Sequence, residues 1–194
     1  AEAAEAQRLS TNGLSTLLWG LATLRTSNAD LVAVLFRRVT DPNVVAQLPP
    51  NGLVGALWAL TTLRITHPSL PLPLPLVERA LHPDVLAALT ARQVANVVWA
   101  LATLGVRNEE LLAGLASHAL KLDVLPTFTA QGLANTIWGY ATLQYRDDRL
   151  LAALAAQAAT SEVLVTFTPQ GFANTVWGLA QLGGKEEGLL TAGA

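Results

Sequence analysis

The side chains best suited to chemistry in this sequence are amides that stand close to tryptophans. Asn96, Asn135 and Asn174 each precede a Trp by three residues (Trp99, Trp138 and Trp177). Residues three apart are neighbours on one face of a helix. An amide carries both donors and acceptors, the combination that reads the edge of a nucleic-acid base. The same position before Trp19 and Trp58 holds Thr16 and Gly55. A site that varies among small types while its surroundings stay fixed is the pattern of a reader that takes one base per repeat.

Catalytic chemistry has no comparable signal. His67, His82 and His118 occupy unrelated places and have no ligand set beside them. The chain has no Cys and no Met. That excludes a thiolate nucleophile, a zinc finger and a disulfide scaffold. There is no Gly-rich phosphate loop and no nucleophile elbow. The adjacent acids Glu109-Glu110, Asp147-Asp148 and Glu186-Glu187 fit helix starts, where capping and the helix dipole explain them. The expectation is a protein that is not an enzyme and needs neither cofactor nor metal.

The elements that position the amides come from a repeat. The five Trp are separated by 39, 41, 39 and 39 residues. A fixed period in this range signals a solenoid. The segment Leu133–Leu143 echoes Leu14–Leu24, Leu53–Leu63, Val94–Leu104 and Phe172–Leu182. Each copy reads as two antiparallel helices. Helix A starts at Thr90, with Gln93 completing a capping box, at Thr168 before Pro169, and at equivalent places near Pro50 and Thr129. Ser27-Asn28, Asn108-Glu109 and Asp147-Asp148 mark the turn into helix B. A loop or single helical turn closes each unit around Val44-Val45, Val85-Leu86, Val124-Leu125 and Val163-Leu164.

Copy two departs from the pattern. Leu70-Pro71-Leu72-Pro73-Leu74-Pro75 cannot lie inside a regular helix, because each Pro removes a donor and crowds the preceding turn. Helix B there should shrink to about residues 75–81 after an extended lead-in that holds the two additional residues. The lead-in reads as a tolerated loop irregularity, with a partner-docking segment as the alternative.

At about 100° per residue the faces of helix A separate. Leu133, Ile137, Tyr140 and Leu143 form the core stripe, as do Leu14, Leu18, Leu21 and Leu24. Ala134 and Ala141 form a flank of small residues for a close neighbour. The opposite face is polar and nearly uncharged. It comprises Asn12, Thr16 and Thr23, then Asn51, Gly55 and Thr62, then Arg92, Asn96 and Thr103, then Gln131, Asn135 and Thr142, then Gln170, Asn174 and Gln181. Trp lies beside this stripe and reads first as a packing ridge between adjacent A helices. The stripe itself reads as a solvated face or as a base-reading surface. One cation follows helix A in each copy: Arg25, Arg64, Arg107, Arg146 and Lys185. Either these cations oppose the helix dipole, or they align along one edge as phosphate contacts.

Composition narrows the class. Of 194 residues, 52% are hydrophobic and 13% charged, and the net charge is −2. Such a chain is not disordered and has no global basic field. The greasiest stretches are broken by Arg92, Gln93, Asn96 and Asn135, too soon for a membrane span of about 20 apolar residues. No leader is visible at Ala1-Glu2-Ala3-Ala4-Glu5. A start without Met and an end at Thr191-Ala192-Gly193-Ala194 read as those of a fragment or processed chain.

The pattern Asn-Thr-x-Trp-Gly-x-Ala-x-Leu at Asn135–Leu143 and Asn174–Leu182 resembles the octotricopeptide repeat. It is also similar to the repeats of RAP-domain and FAST-kinase-like proteins. The resemblance implies a right-handed all-α solenoid of antiparallel two-helix repeats of about 39 residues. It also implies binding to single-stranded RNA and action on organelle transcripts, with the chloroplast favoured over the mitochondrion. The expectation is one array over residues 1–194, with repeats 10–49, 50–90, 91–129, 130–168 and a truncated 169–194. Base contacts would come from Asn12, Thr16, Asn51, Gly55, Arg92, Asn96, Gln131, Asn135, Gln170 and Asn174. Phosphate contacts would come from the five cations. Single-stranded RNA is the expected partner, with self-association through uncapped array ends and no membrane contact. The alternative is a protein-binding scaffold without nucleic acid, or a spacer within a longer array.

Overall fold

The structure is a computed structural model, and it describes residues 10–183. The described residues form twelve α-helices and one 3₁₀ turn, with no strand. The chain divides into two compact units, residues 1–88 and 89–194. In the first unit, α1 (Thr11–Thr23), α2 (Ala29–Val39), α3 (Pro42–Val45), α4 (Pro50–Thr66), α5 (Leu74–Ala80) and α6 (Pro83–Ala87) follow in order. In the second, α7 (Ala91–Leu104) and α8 (Glu109–Ala119) precede the 3₁₀ turn Leu125–Thr127. Then come α9 (Ala130–Thr142), α10 (Asp148–Ala158), α11 (Ser161–Leu164) and α12 (Pro169–Gln181).

The helix boundaries follow local chemistry. Ser10, Thr90, Thr129 and Thr168 accept from backbone N–H groups three residues on, and thereby cap α1, α7, α9 and α12. Gln93 completes the capping box by accepting from the Thr90 N–H at 2.8 Å. Asn28, Asn108 and Asp147 do the same for helix B, at α2, α8 and α10. Helix A ends at a left-handed residue in four copies: Arg25, Gly105, Gln144 and Gly183 have φ of 49°, 66°, 52° and 68°. The N–H groups of Thr26, Val106 and Tyr145 then reach back to Leu21, Leu101 and Tyr140, closing the end as a Schellman motif.

Copy two lacks that terminator. Helix α4 runs for 17 residues, against 13 in α1, α9 and α12 and 14 in α7. Pro68 then stops it, because the residue before a proline is pushed out of the helical region, and His67 sits at φ −126°, ψ 70°. Helix α5 is cut to seven residues, close to the expected 75–81. The extra length is therefore shared between α4 and the proline lead-in, and is not confined to the lead-in.

Within each unit, A helices pack on A helices. In the first unit α1 lies against α4; in the second α9 lies between α7 and α12. In the second unit the contact repeats one geometry. A β-carbon on Gly139 would meet Val98 Cγ1 at 2.5 Å, and one on Gly178 would meet Ile137 Cγ2 at 2.8 Å. Both glycines directly follow a Trp, and both target residues directly precede one. Likewise the Cβ of Ala95 lies 3.8 Å from a β-carbon on Gly132, and that of Ala134 lies 3.8 Å from one on Gly171. At Gly139 and Gly178 backbone meets side chain with no room for a methyl group, whereas the contacts of Ala95 and Ala134 are at ordinary van der Waals distance.

The core stripe is filled as expected in α9: Leu133, Ile137, Tyr140 and Leu143 are all buried. The Tyr140 hydroxyl donates to the Leu112 carbonyl on α8 at 2.7 Å. Burial pushes that hydroxyl's pKa upward, so it stays a neutral donor. Copy one corrects the expectation. Leu14 and Leu18 are buried, but Leu24 is 79% exposed. Among the described residues no A helix precedes α1, and no described atom lies within 4 Å of a β-carbon on Gly20. Leu17 is also exposed, whereas its counterparts Thr136 and Thr175 are fully buried.

Candidate nucleic-acid interface

The amide row lies on the surface of helix A. Asn12, Thr16, Asn51, Arg92, Gln131 and Gln170 are exposed, and Gly55, Asn96, Asn135 and Asn174 are half-buried. Among the described residues, none of these side chains makes a hydrogen bond within the protein. The contrast with the next residue is sharp. Thr136 and Thr175 point inward, and each donates to the carbonyl four residues back, at Gly132 (2.8 Å) and Gly171 (2.9 Å). The fold satisfies the Thr and leaves the adjacent Asn open. Three half-buried amides with unused donors and acceptors can bind a ligand whose edge is polar.

The Trp row flanks the amides. Trp58, Trp99 and Trp138 are half-buried, while Trp19 and Trp177 are 51% and 47% exposed. The packing ridge expected of them is therefore partial, because every Trp keeps some surface. No other aromatic ring packs on them among the described residues.

The cations do not share one position. Arg25 occupies the left-handed residue after α1, whereas Arg64 lies inside the last turn of α4. Arg107 and Arg146 stand two residues beyond Gly105 and Gln144, already in the turn. Arg107 Nη2 pairs with Glu109 at 2.8 Å and Arg146 Nε with Asp148 at 2.7 Å. Lys185 lies outside the described residues. The four described cations therefore do not occupy one equivalent position. Helix A ends at different points in copies one and two, and two of the cations are partly neutralised by carboxylates at helix-B starts. Arg92, exposed on the amide row, has no ion pair among the described residues.

The histidines serve the scaffold. His67 Nε2 meets the Thr26 carbonyl at 2.8 Å, and the buried His118 Nε2 meets the Leu89 carbonyl at 2.6 Å. Among the described residues no group of three or more His, Cys, Asp or Glu could hold a metal ion, and no helix is long and apolar enough to cross a membrane.

The sequence reading missed the glycine contact, although its signal was present. The residue after each Trp is Gly20, Ala59, Ala100, Gly139 or Gly178, small in every copy. In the second unit this seam holds α9 close against α7, and α12 close against α9.

Comparison with known families fits this helical architecture. The profile of the RNA-editing substrate-binding complex 6 protein family matches residues 71–187, more than half of the chain. The chain belongs to that family. Membership places this helical protein among RNA-associated proteins; the octotricopeptide likeness remains a resemblance. No curated protein matches the chain. The stretch matched to the RNA-editing substrate-binding complex 6 family holds Asn96, Asn135 and Asn174, whereas Thr16 and Gly55 fall before it.

Proposed function

We propose that this chain binds single-stranded RNA through the amide row of its A helices, at about one nucleotide per copy. The observation that carries the reading is the row of unbonded amides at Asn96, Asn135 and Asn174, all within the stretch that matches an RNA-associated family. Gln131, Gln170 and Arg92 stand one turn earlier on the same face and add a second contact per copy. Copies four and five carry the same pair, Gln131 with Asn135 and Gln170 with Asn174. Identical readers must prefer the same base. Asn12, Thr16, Asn51 and Gly55 offer a weaker surface with fewer amides. Arg25, Arg64, Arg107, Arg146 and Lys185 supply phosphate contacts individually and not as a ladder.

The repeats are read as an α-solenoid, supported by the glycine contact that recurs between α7 and α9 and between α9 and α12 in the second unit. The chain acts as a binding component and not as an enzyme. An organelle setting, chloroplast before mitochondrion, and work on transcript stability, processing or translation rest on the octotricopeptide resemblance. Self-association is supported by Leu17 and Leu24 of copy one, both exposed.

A protein partner is the second reading, and one observation favours it. Leu72 and Leu74 are exposed between the prolines of the copy-two lead-in, and a complex in the family's name implies protein neighbours. Selection from a randomised single-stranded RNA pool tests the first reading. The expected result is a short enriched motif with one base repeated at two adjacent positions, lost in Asn135→Asp with Asn174→Asp. Absence of any enriched motif at low salt overturns it.

A further inference from the structure

We infer that each Trp of the second unit is a base-stacking platform, paired with the Asn three residues before it. The inference rests on the RNA-binding reading above and adds residues that the reading does not use. It starts from how the fold treats its other amphipathic rings. Tyr140 is buried, and its hydroxyl is spent on the Leu112 carbonyl. His118 is buried, and its Nε2 is spent on Leu89. A Trp that serves only as a wedge between helices should end the same way, because a buried indole N–H normally finds a partner.

The tryptophans do not. Among the described residues no Trp indole N–H makes a hydrogen bond, and none is buried without a partner; the only such buried atoms are Arg38 Nε and His118 Nδ1. The polar edges of Trp58, Trp99 and Trp138 therefore reach the surface, and Trp177 is 47% exposed. The three of the second unit each lie one turn along the helix from an unbonded amide: Asn96 with Trp99, Asn135 with Trp138, Asn174 with Trp177. Side chains three apart on a helix have β-carbons roughly 5–6 Å apart. One element thus presents an apolar ring, an indole donor and an amide on the same patch.

That combination matches an unstacked base. The ring takes its face and the amide takes its polar edge. An acidic chain gains from this, since stacking does not depend on counterion release as phosphate contacts do. In the first unit the partners of Trp19 and Trp58 are Thr16 and Gly55, so those rings would stack without an amide reader. Sequence selectivity then belongs to copies three to five.

The test is a titration of the full chain with single-stranded RNA decamers of A, of U and of mixed sequence. Intrinsic Trp emission and the anisotropy of labelled RNA are followed together at two salt concentrations. Stacking predicts quenching on binding. It also predicts that Trp138→Leu and Trp177→Leu each weaken binding about tenfold or more, with the salt slope unchanged, and that Trp138→Phe recovers part of the loss. Helical circular dichroism checks folding, and the more exposed Trp177 serves if Trp138→Leu unfolds the chain. If RNA binds but emission does not change, or if folded Trp177→Leu binds as the parent does, the stacking role is wrong and amide reading stands. If the parent binds none of the RNAs, both fall.

Discussion

Gly139 lies so close to Val98 that a β-carbon placed on it would meet Val98 Cγ1 at 2.5 Å and the Val98 carbonyl oxygen at 3.1 Å. The valine methyl can rotate, but the carbonyl belongs to α7 and cannot. Gly139→Ala must therefore push α9 away from α7, and overpacking of this kind costs about 1–3 kcal/mol. Gly20 is its counterpart in copy one, with no described atom within 4 Å of an added β-carbon. There the same substitution should stabilise by roughly 0.5–1 kcal/mol, because glycine is costly inside a helix. Chemical denaturation of both variants checks the pair. Equal effects of the two would mean that the seam is not tight.

Much of this architecture could be read in the sequence because its causes are local. The capping residues Thr90, Thr129 and Thr168 and the turn residues Asn28, Asn108 and Asp147 act within three residues of themselves. The period in Trp placed the A helices, and the prolines at 71, 73 and 75 placed the break in copy two. Two kinds of fact were hidden. Exposure of Leu24 depends on whether another helix covers α1, and spacing does not record coverage. The register of Arg25 and Arg64 depends on where helix A stops, and a left-handed Arg25 or Gln144 has no glycine to announce it. The amide row itself was legible, but not the fact that its hydrogen-bonding groups are unspent.

Gly55 stands where copies three to five carry Asn, and a β-carbon added there meets no described atom within 4 Å. Gly55→Asn should fold normally and place an amide three residues before Trp58. If helix A reads RNA in the proposed way, the motif selected by the variant gains a preference at one further nucleotide. Discrimination of a base by a good polar contact is worth roughly 1–3 kcal/mol, so a gain of tenfold between the best and worst base is expected. An unchanged motif in a correctly folded variant would count against one nucleotide per copy.

Arg79 and Asp84 join the end of α5 to the start of α6 through two hydrogen bonds of 2.9 and 2.7 Å. The hydrogen bonds from Arg79 hold the Asp84 carboxyl down at about 2, against an ordinary 3.8. A carboxylate with a lowered folded pKa stabilises fully above its unfolded value and loses that contribution as pH falls through the folded one. The window here runs from about 4 down to about 2. Asp84→Asn should therefore melt below the parent at neutral pH by a small margin, since the pair is exposed and screened by salt. The margin should shrink as pH falls from about 4 to about 2. Thermal melts across that range measure it, and a constant margin would show that the ion pair is not its source.

Arg92 and Arg107 belong to the same copy but should contribute differently to RNA affinity. Arg92 is exposed on the amide row without an ion pair among the described residues, whereas Arg107 is held by Glu109 at 2.8 Å. A phosphate must compete with that carboxylate for Arg107 and has no such rival at Arg92. Each freely available phosphate contact adds close to one counterion to the salt dependence of binding. Arg92→Ala should lower the salt slope by about one unit. Arg107→Ala should lower it by less, and Glu109→Gln, which frees Arg107, should raise it. Binding isotherms at several salt concentrations distinguish these slopes. Equal losses at Arg92 and Arg107 would show that the Glu109 pairing opens on binding and that the turn cations act as phosphate contacts after all.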